Sequence, residues 1–266
     1  MQLATLLRRA GVWARGPAGR GEPDARPAPP YARSPEHSLP DDPSARRVVD
    51  PLGRRAARSA DVAPAPWPVL LGPEAVPAVQ VDGTTCGAAV LVLLAADGDP
   101  AVAAWLEHGP VGTSAASRFA ALQRAVQRRT TRTALLGVPW PRALGTPPWA
   151  AARAARWGSA RYGHRVVDDT DPDDLARVRA CVDESLSAGV PVPLYTGGDT
   201  AGGLAAAVPR HVVLALPGGP AGTVLVYEPG SGAVHQVLAD ELWSGDRPLA
   251  ALGRWTHVVW ALLPRP

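Results

Sequence analysis

The chain has 266 residues, 46% of them apolar, which is enough for one core-bearing domain of about 200 residues with an extension, or for two small domains. Its 27 strongly basic residues are all arginine, and no asparagine occurs, which excludes an asparagine from any catalytic role. The net charge of +3 is uneven: residues 1–60 carry eleven Arg against six acids, and the remainder sixteen Arg against eighteen acids. Cys86 and Cys181 are too few for a disulfide framework, and no Cys/His spacing suits a metal, so neither structural zinc nor any cofactor is implied.

Residues 1–62 are dominated by Arg, Pro, Ala and Ser without a sustained period and read as a disordered tail, with the folded domain expected over 63–266. Arginines scattered among Pro and Ala fit a solvated segment better than a nucleic-acid arm. Arg8, Arg9 and Arg15 interrupt what would be a secretory signal, and the longest apolar run is about half a membrane span. A cytoplasmic address and no membrane span are therefore expected.

The domain should begin near Trp67 and lead into the run Gln80-Val81-Asp82-Gly83-Thr84-Thr85-Cys86-Gly87-Ala88. Residues 88–96 are apolar on all sides and end in Asp97-Gly98-Asp99-Pro100, which predicts a buried helix with Thr84 or Thr85 as its cap. Cys86 would then sit at the positive end of the helix dipole, where a thiolate is favoured. The Gln80 amide, six residues earlier, and the Cys86 main-chain N–H would be donors to an oxyanion. The plainer reading is a small buried cysteine.

Asp99, Pro100 and Gly109 frame a second helix, and residues 114–129 a third. On the third helix Phe119, Leu122 and Val126 share a face, while Arg118, Arg124, Arg128 and Arg129 crowd the others as a solvated or phosphate-binding surface. Trp140, Trp149 and Trp157 gather in the next segment, as packing or as the wall of a groove. From Gly163 the texture changes: a strand at His164, a helix over 171–188 with Cys181 in its core face, then strands over 190–195, His211–Leu216, Thr223–Glu228 and 233–237, and a last one over 255–263. Helices first and a mostly antiparallel sheet later is an α+β order.

A thiol nucleophile needs a base. His211 opens an alternating strand, and Glu228 ends the next, so a hairpin would bring the carboxylate to the imidazole. His164, near Asp168 and Asp169, is the rival; His37, His108, His235 and His257 are less well placed.

These segments together resemble the papain-like cysteine peptidases, and within them the bacterial C39-like branch. The resemblance rests on Gln80 with Thr85-Cys86-Gly87, on Pro191-Val192-Pro193-Leu194-Tyr195, on His211 to Leu216 and on Tyr227-Glu228-Pro229-Gly230-Ser231-Gly232, and it covers about residues 65 to 263. It implies a papain-like fold, Cys86 as nucleophile, His211 as base, Glu228 as the residue that orients it, Gln80 as oxyanion donor, and a peptide or protein substrate. The chain departs from the branch at Ala88 where Pro is usual, at Arg210 where Gly is usual, and at Glu228 where Asp is usual. The expected function is a thiol hydrolase of a peptide or related amide bond. The alternatives are an inactive binding or regulatory module of the same fold, and an acyltransferase or deamidase using the same residues. An anion- or nucleic-acid-binding role for the arginines is the remaining class.

Overall fold

The computed structural model describes residues 40–55, 66–132, 134, 138–198, 209 and 211–265; most of the stretch expected as a tail, with His37, and Arg210 lie outside them. The architecture is α+β. Helices α1 (Pro43–Val49), α2 (Cys86–Gly98), α3 (Pro100–His108), α4 (Ala115–Thr131) and α5 (Pro148–Ala154) precede most of the sheet, and α6 (Pro172–Ser187) and α7 (Ala239–Ser244) lie within its sequence. Strands β1 (Trp67–Pro68), β4 (Arg156–Trp157), β5 (Ala160–Val166), β6 (Val192–Gly197), β7 (His211–Leu216), β8 (Thr223–Glu228), β9 (Ala233–Leu238) and β10 (His257–Arg265) form one antiparallel sheet in the order β1-β9-β8-β7-β6-β10-β5-β4. A separate ribbon pairs β2 (Leu70–Leu71) with β3 (Val76–Pro77).

The central strands are apolar on both faces because both faces are covered. Along β7, Val212, Leu214 and Leu216 enter the core that holds α2, whereas Val213 and Ala215 enter the one that holds Val178 and Val182 of α6. That is the period of two of a pleated strand, with each face given its own layer. Helix α2 is apolar all round for the same reason: it packs against α3, α4, β4 and β7.

Of the caps expected at Asp99 and at Thr84 or Thr85, the first holds, and Asp171 caps α6 in the same way. Asp99 accepts from the Ala101 N–H at 2.9 Å, and Asp171 accepts from the Asp173 and Asp174 N–H groups at 3.1 and 3.2 Å. Thr85 does not cap α2. Its Oγ1 accepts from the Asp82 N–H at 3.0 Å and donates to the Asp82 carbonyl at 3.1 Å, closing the loop before the helix instead.

Three further expectations are corrected. Residues 40–55, placed in the tail, are folded: Asp42 caps α1, and Leu52 is fully buried. The helix has only seven residues and no buried face of its own, and it is held through Arg47, whose guanidinium donates to the Glu107 carboxylate of α3 at 2.7 to 3.0 Å. Arg118 is not on a solvated face but 5% exposed, donating to the carbonyls of Leu106, Glu107 and Thr113. Cys181 is half-buried rather than core. The tryptophans pack: Trp140 meets Trp149 edge to face at 5.3 Å, and Trp157 Nε1–H donates to Asp97 at 2.8 Å. No single helix among the described residues is long and apolar enough to cross a membrane.

Candidate active site

The strand pairing that builds the sheet also assembles the site. β7 and β8 run antiparallel with Leu214 opposite Tyr227, so His211 at the start of β7 and Glu228 at the end of β8 emerge at the same edge of the hairpin. His211 Nε2 lies 2.6 Å from Glu228 Oε1. The first residue of α2, Cys86, comes within interaction range of the same ring. Close approach of α2 to β7 needs Gly87: a Cβ there would stand 3.0 Å from Thr146 Cβ and 3.3 Å from Val212 Cγ2.

Glu228 is fixed from the other side by the turn that follows it. Gly230 N–H donates to Oε1 and Ser231 N–H to Oε2, both at 2.7 Å. Burial would raise the pKa of this carboxyl, but the hydrogen bonds from His211, Gly230 and Ser231 outweigh it and hold the pKa at about 2. An ionised carboxylate only accepts, so Nε2 carries a proton and the His211 tautomer is set. Burial pulls the His211 pKa down, yet the hydrogen bonds and charges of Cys86 and Glu228 prevail and raise it to about 9. The imidazolium is thus the favoured form at neutral pH.

Two further residues complete the frame. Gly253 ends a 3₁₀ turn at φ +66, and a Cβ there would lie 2.7 Å from His211 Nε2. The bare backbone therefore walls one side of the imidazole. Tyr195, buried on β6, donates to the Thr146 carbonyl at 2.8 Å, and its phenol is pushed to a higher pKa by burial and then by the charge of Cys86. Gly253 carries no local signal, because it is brought to the site by pairings distant in sequence, whereas Tyr195 belongs to the Pro191 to Tyr195 motif.

Gln80 stands differently. Its main-chain N–H donates to the Pro229 carbonyl at 2.8 Å, which ties its loop to the Glu228 turn. Its side-chain Nε2 donates to the Asp82 carbonyl at 2.8 Å, so one of its two amide hydrogens is committed within the loop. The structure holds His211 against Glu228, places Cys86 within interaction range of the ring, and joins Gln80 to them through that loop.

The rival histidines are placed elsewhere. His164 Nδ1 accepts from Trp260 Nε1–H at 3.3 Å, and burial, with Arg265 and Arg153 nearby, lowers its pKa. His257 Nδ1 lies 2.6 Å from Thr256 Oγ1. His235 Nε2 lies 3.4 Å from Ser231 Oγ, and burial lowers its pKa. Among the described residues no group of three or more His, Cys, Asp and Glu side chains could hold a metal ion.

No family model, curated protein or solved structure matches the chain.

Proposed function

We propose that the chain is a thiol-dependent hydrolase of papain-like type, acting on a peptide or related amide bond. The observation that carries this reading is the His211 ring held 2.6 Å from the Glu228 carboxylate, with Cys86 at the start of α2 acting on the same ring. Mutual stabilisation of imidazolium, carboxylate and sulfur is the arrangement thiol acyl chemistry needs. The Cys86 proton rests on His211 as the imidazolium, and the sulfur attacks the carbonyl carbon to give a tetrahedral oxyanion. The N–H of Cys86, at the first position of α2 with no intrahelical acceptor, is aimed to receive that charge, with the uncommitted Gln80 amide hydrogen as the second donor. As the C–N bond breaks, His211 returns its proton to the departing amine. Water, deprotonated by His211, then attacks the thioester, and the acid leaves with Cys86 regenerated.

Transfer of the acyl group to an amine, or deamidation, uses the same residues with a different acceptor or leaving group. The inactive-module reading is favoured by two facts: Cys86 is only 4% exposed, and Gln80 Nε2 faces the Asp82 carbonyl. The test is turnover of a peptide and amide library by the full chain, with intact-mass detection of an acyl adduct. Hydrolysis that disappears in Cys86→Ala, with an adduct mapped to Cys86, supports the proposal. No turnover and no adduct, with the fold intact, favours the module.

A further inference from the structure

Three arginines stand side by side across adjacent strands at one end of the sheet. Arg156 of β4 is the register partner of Arg161 of β5, and Arg161 is the register partner of Arg265 of β10. Residues directly opposite in antiparallel strands share a face, so all three side chains leave the same face in one row. Strands are about 4.8 Å apart, which gives three positive charges within about 10 Å of backbone. Like charges directly opposite are destabilising.

Several arginines elsewhere are paired: Arg47 with Glu107, Arg54 with Asp97, Arg165 with Asp174, Arg179 with Asp240 and Arg247 with Glu241. Among the described residues none of the three in the row forms an ion pair. Arg156 and Arg161 are steadied by main-chain carbonyls, at 2.5 Å to Ala155 and 3.2 Å to Ser159, which hold the guanidinium groups without neutralising them. The Arg265 guanidinium lies over Gly163, its Cζ 2.5 Å from where a Cβ would be, so the missing side chain there makes room for it. Burial lowers the pKa of Arg156, as do the charges of Arg161 and of Arg129 on α4, which adds a fourth cation to the neighbourhood.

We infer that the Arg156, Arg161 and Arg265 row is a binding site for a linear polyphosphate anion, two or more linked phosphoryl groups that are free or carried on an ester. Guanidinium groups engage phosphate oxygens in bidentate fashion, and linked phosphoryl groups pack their charges closely enough to meet three arginines in this span. An extended acidic peptide presents side chains to one face only about every 6.6 Å and matches the row less well. The row offers no exposed aromatic side chain for stacking on bases, which disfavours a single-stranded nucleic acid. The site is independent of the thiol reading. The β4–β5 turn lies against Gly98, at the opposite end of α2 from Cys86, with about 20 Å of helix between them.

The experiment is calorimetric titration of the full chain at low salt with inorganic tripolyphosphate, adenosine triphosphate without metal, a short DNA duplex and oligoglutamate. Binding of tripolyphosphate that weakens about tenfold or more in Arg161→Gln/Arg265→Gln, and not in Arg247→Gln, supports the inference. Comparable binding of adenosine triphosphate would mean that the phosphoryl chain is taken on an ester as well as free. The inference is overturned if tripolyphosphate does not bind, if the double variant binds it unchanged, or if the Arg247 variant loses as much. Tighter binding of duplex or oligoglutamate at equal charge overturns it in favour of a macromolecular partner. Both substituted arginines are exposed, and unchanged circular dichroism melting of the variants confirms that binding rather than folding is read.

Discussion

At the scale of the residue, the site works through reciprocal pKa shifts. Glu228 is held ionised by three hydrogen bonds, and it in turn helps hold His211 protonated to about pH 9. In Glu228→Gln the charge is gone while the shape is kept. The His211 midpoint, followed by NMR of the ring, is expected to fall from about 9 toward its ordinary value, and Cys86 reactivity at pH 6 to drop about tenfold for each unit lost. An unchanged midpoint would show that Cys86 alone sustains the shift. Gly253 is tested by a matched pair, since Gly253 and Gly222 both sit in the left-handed region, at φ +66 and +75, but only Gly253 has the His211 ring where a Cβ would go. Both alanine variants should lose about 1 kcal/mol of stability to backbone strain. Gly253→Ala alone should displace the ring and shift the His211 titration.

At the scale of the element, the buried Glu107 carboxylate fastens α1 to α3. It is 3% exposed and accepts from Arg47, from Ser44 Oγ at 2.7 Å and from Gly72 N–H at 2.8 Å. Arg47→Ala would strand that charge, and a loss of about 2 kcal/mol in urea unfolding is expected, with Ser44→Ala costing less. None of this was legible in the sequence, because α1 is a seven-residue helix amid Pro and Arg with no buried face of its own, and its anchor lies sixty residues away. What could be read was local: the Asp99-Pro100 and Asp171-Pro172 starts, the apolar run of α2, and the hairpin of β7 and β8 that predicted His211 beside Glu228. Thr85 misled because its hydroxyl found the Asp82 backbone before the helix's own N–H groups. Arg118 misled because three carbonyls at the end of α3 and the following loop accept its guanidinium in the interior, an environment that helical spacing does not reveal.

At the scale of the whole molecule, the site contributes to stability as well as chemistry. His211 has a raised pKa, so its contribution is complete below its ordinary value of 6.5 and is lost as pH rises through about 9. Glu228 has a depressed pKa, so its contribution is complete above 4.5 and is lost as pH falls toward about 2. The stability difference between the native chain and His211→Gln should be greatest between pH 4.5 and 6.5 and should shrink on both sides, most clearly in thermal melts carried past pH 9. The overall α+β order was legible because helices and strands segregate along the chain. The closing of the sheet by β10 between β5 and β6, and the arrival of Gly253 at His211, were not, since both depend on pairings across many residues.

The central claim is that the Cys86 sulfur is activated by His211, and the chain carries its own reference. Cys181 is the more exposed thiol, but burial and the charge of Glu184 raise its pKa. Iodoacetamide alkylation at pH 6, resolved by peptide mass, is predicted to modify Cys86 at least about tenfold faster than Cys181, with the advantage lost in His211→Ala. Equal rates at the two cysteines, or a Cys86 rate indifferent to His211→Ala in the folded protein, would contradict it.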